Sequence, residues 1–162
     1  MITRRRHGGL AIVLSFAAAL LLTIVPLSDG LRPLRPDWVG LTLIYWSLAL
    51  PERVSVGSGW LAGLFLDVLT GSLLGQHAFG LSVVAYLCVR LHQRIRLYPL
   101  WQQSLTVLML LALHQLLSLW IERTIGRPSP GWIYWMPSVV GALLWPFVYQ
   151  FLRGVRRQFS VS

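Results

Sequence analysis

Apolar residues dominate the chain, and polar ones arrive in short clusters that cut it into six runs: Leu10–Leu27, Trp38–Leu50, Val54–Leu74, Ala78–Leu91, Leu100–Ile121 and Trp132–Leu152. Each run is near the roughly 17–25 residues that a helix needs to cross a bilayer. The second and fourth are short, so they either tilt little and lean on their flanks, or one of them inserts only in part. The connections Ser28–Asp37, Pro51–Arg53, Ser72–His77, His92–Pro99 and Glu122–Gly131 are too short to hold a separate domain. Pro33, Pro36, Pro128 and Pro130 mark turns in the two longest. The expected fold is an all-α integral membrane protein, a six-transmembrane-helix bundle forming one membrane domain over residues 1–162.

Composition agrees with lipid as the solvent. Of 162 residues 56% are hydrophobic and 12% charged, against about a quarter charged in a soluble domain. All fourteen basic residues are Arg, and the formal charge is +9. No basic helix face alternates with polar residues, so nucleic acid is not expected as a partner. The arginines lie instead at the edges of apolar runs. Six spans with a cytoplasmic N-terminus put Arg4, Arg5, Arg6, Arg53, Arg90, Arg94, Arg96, Arg153, Arg156 and Arg157 inside, and Arg32, Arg35, Arg123 and Arg127 outside. That asymmetry places both termini in the cytoplasm and membrane lipid among the partners. The Arg4–Arg6 cluster resembles a signal-peptide start, but no small-x-small site follows Leu27, so an uncleaved span is expected. Trp38, Trp60, Trp101, Trp120, Trp132 and Trp135 fall near predicted boundaries, as an aromatic belt does.

The third run carries the chemistry that needs explaining. Gly59, Gly63, Asp67, Gly71 and Gly75 recur every four residues, which sets them on one helix face. Glycines on one face admit a neighbouring helix at close range, so this stripe is expected to be a helix-packing seam or a partner interface. An ionised Asp at mid-membrane costs about 2.5–3.5 kcal/mol, so Asp67 should face the bundle and find a partner. His114, at similar depth in the fifth run, is the candidate for an intramembrane polar pair with Asp67. Such a hydrogen bond is worth a few tenths to about 1.7 kcal/mol. Cys88 stands alone inside an apolar run, and no Cys/His spacing suits a metal. There is no Gly-x-Ser-x-Gly, no His-Glu-x-x-His and no phosphate-cradling loop. Neither enzymatic activity, nor a metal, nor a cofactor is expected.

Several stretches in order carry a resemblance: Arg35-Pro36-Asp37-Trp38, Leu43-Ile44-Tyr45-Trp46, Leu48-Ala49-Leu50-Pro51, the Gly59 to Gly75 stripe, Trp101-Gln102-Gln103, Leu144-Trp145-Pro146 and Val155-Arg156-Arg157-Gln158-Phe159. Together they resemble the bacterial rod shape-determining MreD family over nearly the whole chain. The resemblance implies a non-enzymatic scaffold of the cell-wall elongation (rod) complex in the bacterial inner membrane. It would bind the single-span partner MreC, and through it MreB, RodA and PBP2, helping to regulate peptidoglycan synthesis. The family is also similar in fold to the substrate-binding subunits of energy-coupling-factor transporters. That keeps a second reading open, a small-molecule capture subunit or small transporter using Asp67. Asp67, His114, Gln115 and Ser118 are its few polar groups at pocket depth.

Overall fold

The computed structural model describes residues 2–25, 35–51, 54–71, 74–126 and 131–158, without the side chains of residues 2–8, 132 and 133. The charges expected at Arg32, Arg53 and Arg127 lie outside the described residues, as do the side chains of Arg4, Arg5, Arg6 and Trp132. The described residues form six α-helices: α1 Ile2–Ile24, α2 Trp38–Ala49, α3 Val56–Thr70, α4 Gln76–Arg96, α5 Leu100–Thr124 and α6 Met136–Gln158, the last preceded by a 3-10 turn at Trp132–Trp135. The expected all-α class is what the chain adopts. Two helices, α5 and α6, are long and apolar enough to cross a membrane by that measure alone. The apolar part of α1 (Gly9–Ile24), α2 and α3 are shorter.

The short α2 is the centre of the bundle, and it meets every other α-helix. Every residue from Val39 to Leu48 is buried. Its apolar run therefore faces protein on all sides, which is how a helix hydrophobic all round is accommodated. This explains its length: α2 needs neither a lipid-facing surface nor interfacial flanks. Trp46, Leu41, Leu43 and Ile44 are fully enclosed, with Trp145 of α6 and Cys88 of α4. Among the described residues Cys88 is the free thiol, buried as a small hydrophobe.

The helices surrounding α2 turn large apolar side chains outward. Val68, Met109, Leu143, Phe147 and Phe151 are all strongly exposed. A surface of this kind suits hydrocarbon rather than water. On α5, Trp101 and Trp120 are exposed near opposite ends. At 1.5 Å per residue they stand about 28 Å apart along the axis, close to the roughly 30 Å of a bilayer core.

Element ends differ from the sequence expectation where local chemistry intervenes. Helix α3 stops at Thr70 because Gly71 adopts a left-handed conformation (φ 69°), the usual glycine C-terminal signal. Helix α4 runs on to Arg96, beyond Leu91, with Arg94 and Arg96 in its last turn, where cations complement the helix dipole. The chain thus has two chemically distinct ends. One gathers Asp37, Asp67, His77 and His114; the other gathers Arg96, Arg153 and Arg156.

The enclosed α2 should set stability. Lipid is as apolar as Leu, so a core truncation loses packing rather than transfer energy. Leu43→Ala should still cost on the order of 2 kcal/mol through its cavity, whereas Met109→Ala, on the outward face of α5, should change the thermal midpoint in detergent very little.

Candidate functional site: an Asp–His network at the α3–α4 turn

Gly59 and Gly63 are consumed inside the chain. A Cβ on Gly59 would lie 2.7 Å from the Leu81 carbonyl oxygen, and one on Gly63 would overlap the Ala78 backbone. These glycines bring α3 against α4 at a range no other residue allows. Gly71 and Gly75 do not continue the stripe. Both lie beyond α3 with positive φ (69° and 99°), and among the described residues no non-neighbouring atom lies within 4 Å of where a Cβ would stand on either. Their role is conformational: Gly71 ends α3 and Gly75 opens α4. The period of four ends at Asp67 because the helix ends one turn later.

Asp67, 1% exposed, sits where that close approach delivers it, over the first turn of α4. Its Oδ2 accepts the Gly75 N–H at 2.8 Å and the Ala78 N–H at 3.4 Å. Its Oδ1 accepts the His77 N–H at 2.8 Å, with the His77 Nδ1 also at 2.8 Å. A helix start leaves backbone donors without intrahelical partners, and no side chain of the N-cap residue Gly75 can serve them. Asp67 does so from the preceding helix. The helix dipole also favours a carboxylate at that position.

The expected Asp67–His114 pair does not form; each residue has another partner. His114 Nδ1 lies 2.8 Å from Asp37 Oδ2, and Asp37 Oδ1 accepts the Gly40 N–H at 3.0 Å as the N-cap of α2. Burial alone would push the Asp37 carboxyl up, but the His114 ring and the Gly40 N–H together hold it below the usual carboxylate range. The rings of His77 and His114 meet edge to face with centroids 5.5 Å apart. A polar row, Asp67–His77–His114–Asp37, thereby ties α3, α4, α5 and the start of α2. His77, the last residue of the expected Ser72–His77 connection, links the two halves. Asp37 directly before an apolar run is an N-cap signature, and that signal was available without a structure.

In both pairs the His Nδ1 faces a carboxylate, so Nδ1 carries the donated proton and Nε2 points elsewhere. His114 packs on Gly80, whose Cβ would strike the ring. Among the described residues its Nε2 has no hydrogen-bond partner, nor have Gln76 Oε1 and Ser118 Oγ, all of them buried. These three residues line one cavity of about 220 Å³ with His77, Thr70 and Tyr134. Gln76 Nε2 donates to Glu122 at 3.2 Å. Gln115 is tied to the 3-10 turn, its Nε2 donating 2.7 Å to the Tyr134 carbonyl while its own carbonyl accepts the Tyr134 hydroxyl at 2.9 Å. Ser138 Oγ bonds Gln115 Oε1. No hydrogen bond joins Ser118 to His114, and no group of three or more metal-ligating side chains exists among the described residues. The network holds helices together and offers mainly acceptor atoms to a guest.

Residues 4–155 match the family model of the rod shape-determining protein MreD. The chain belongs to the MreD family. It is 35% identical over 143 residues to the rod shape-determining protein MreD of Haemophilus influenzae (strain ATCC 51907 / DSM 11121 / KW20 / Rd), covering 88% of each chain. No solved structure matches it. With two helices long and apolar enough to cross a bilayer among the described residues, MreD-family membership makes this a membrane protein of the shape-determining class. The Asp–His network is how this MreD-family chain closes its α3–α4 hairpin.

Because Asp67 serves several donors, it should matter more than a single interhelical bond. Asp67→Leu strands backbone N–H groups, each costing about 1–3 kcal/mol, and should abolish a defined thermal transition or lower it strongly. Asp67→Asn keeps one acceptor oxygen but turns an amide N–H₂ toward donors, so an intermediate loss is expected. Gly63→Ala should damage the fold through backbone overlap, whereas Gly71→Ala should cost about 1 kcal/mol of left-handed strain. Equal midpoints for the two glycine variants would overturn this division of roles.

Proposed function

We propose that the chain is a non-enzymatic, multi-pass scaffold of the rod complex in the bacterial inner membrane. All six helices cross as a single membrane domain, and both termini are cytoplasmic. It holds the single-span partner MreC and, through it, MreB, RodA and PBP2, and so acts on peptidoglycan synthesis and rod shape. The observation that carries this reading is the division between inside and outside. Polar groups of the α3–α4 hairpin, and the neighbouring His114 and Asp37, bond within the chain, while the outward faces are apolar. A partner helix would therefore bind by packing.

The glycine face being filled by α4, the docking surface lies elsewhere. An apolar groove of about 510 Å³ runs between α1 and α3, lined by Gly9, Val13, Phe16, Ser58, Ala62 and Phe65. Its small residues admit a helix backbone closely. Photo-crosslinking residues at Val13 and Phe65 should give adducts with co-produced MreC, and one at Met109 should give none. Adducts from Met109 alone would move the interface to α5.

A second reading, capture of a small molecule, is favoured by one observation: the unbonded His114 Nε2, Gln76 Oε1 and Ser118 Oγ around the 220 Å³ cavity. Buried polar atoms of this kind normally find water or a ligand. Native mass spectrometry of the purified chain separates the two. A retained compound, lost in His114→Phe, would establish capture; partner co-purification without one leaves the scaffold.

A further inference from the structure

A Ser or Thr hydroxyl within a helix has a ready acceptor in the carbonyl four residues before it. On α5, Thr106 and Thr124 use it, donating to the Gln102 and Trp120 carbonyls at 3.0 and 2.8 Å. Ser118 lies between them in the same helix and is 5% exposed, yet among the described residues its Oγ has no hydrogen-bond partner. That hydroxyl lines the 220 Å³ cavity instead.

Two more buried atoms of the lining are unpartnered, and both are held as acceptors. His114 turns its Nδ1 proton to the Asp37 carboxylate at 2.8 Å, which leaves Nε2 with a lone pair. A carboxylate on one ring nitrogen also makes the other more basic. Gln76, 2% exposed, turns its amide N–H₂ to Glu122 at 3.2 Å, so its oxygen is the end left over. His114 and Ser118 are four residues apart on α5 and are therefore neighbours on one face. A single atom with several N–H bonds of ordinary length can bridge two such groups.

Three acceptors on one cavity choose a guest by the hydrogens it donates. A carboxylate or phosphate oxygen would add only a further acceptor, whereas an alkylammonium carries three N–H bonds on one atom. Charge agrees. Among the described residues Asp37 and Glu122 bring two carboxylates to the lining against the guanidinium of Arg35, which donates to the Thr23 and Val25 carbonyls. Size asks for more than one water, which needs about 10–15 Å³, and Leu66 and Leu111 offer wall for a carbon body. Depth agrees as well. The strongly exposed Trp120 marks the headgroup level on α5, and Ser118 and His114 lie about 3 and about 9 Å further in along the axis. We propose that this cavity binds a primary ammonium group, carried by a free amine or by an aminophospholipid headgroup. The proposal names the guest for the capture reading of the cavity and rests on that reading.

The test pairs each amine with its trimethylated analogue, which keeps the charge and removes every N–H donor. In native mass spectrometry the full chain should retain phosphatidylethanolamine over phosphatidylcholine, or millimolar ethanolamine should raise its thermal midpoint where choline does not. The first result assigns the headgroup and the second the free amine. Ser118→Ala should weaken whichever binds about tenfold. Because the Ser118 hydroxyl has no bond within the described chain, the same variant should keep its ligand-free midpoint, so lost binding is not lost fold. Equal binding of the trimethylated analogues, or unchanged binding in Ser118→Ala, would overturn the ammonium site. A retained compound without a primary amine, lost in His114→Phe, would overturn it while leaving capture standing. Binding in no arm, with no compound retained, would end both readings of the cavity and leave the scaffold untouched.

Discussion

The fold depends on one requirement: the first backbone donors of α4 must find acceptors where little water reaches them. Asp67 meets it from the neighbouring helix, accepting N–H groups of Gly75, His77 and Ala78. That geometry constrains much around it. Helix α3 must lie almost on the α4 backbone, which Gly59 and Gly63 permit. It must also end soon after the carboxylate and reverse, which Gly71 and Gly75 do with positive φ. The packing seam and the cap are therefore one device. A buried unsatisfied N–H costs about as much as several good packing contacts gain, so neither half would hold alone.

The same rule governs α2. It begins under a carboxylate, Asp37, and ends under a guanidinium, Arg96. Donor-rich N-termini meet Asp at one end of the bundle, and carbonyl-rich C-termini meet Arg at the other, in the sense the helix dipole favours. Arg96, one of the arginines expected from the sequence to orient the chain, thus also closes a helix end.

The apolar pattern made the helices legible, because lipid and protein interior both demand uninterrupted apolar runs. It could not tell the two apart. Trp38–Leu50 reads as a short span, yet α2 is enclosed by protein on every side. Asp67 was legible as an inward fastener from the desolvation cost of its carboxylate. Its partner was not, since depth counted along separate runs pointed to His114 and gave no sign of the α3–α4 turn that presents His77. The Asp37–His114 tie spans 77 positions and is a product of tertiary packing. Its Asp half follows a local rule, a capping residue before an apolar run, whereas its His half follows none.

How the chain would engage another helix is bounded by the same physics. With its carboxylates at the α3–α4 end turned inward, the exterior offers shape and apolar area to a partner that lipid tails could equally cover. Association in such a medium gains from close packing and from release of ordered lipid rather than from the hydrophobic effect. The rigidity of the exterior then matters more than its composition: a groove keeps its shape when the helices forming it are fixed. Helix α3, one wall of the large groove, is fixed by the glycine seam and the Asp67 cap. Helix α1, the other wall, is held mainly by α2, itself the most enclosed element. Residues far from the groove therefore control its geometry, and damage at Asp67 would reach the groove through α3 without any contact with it.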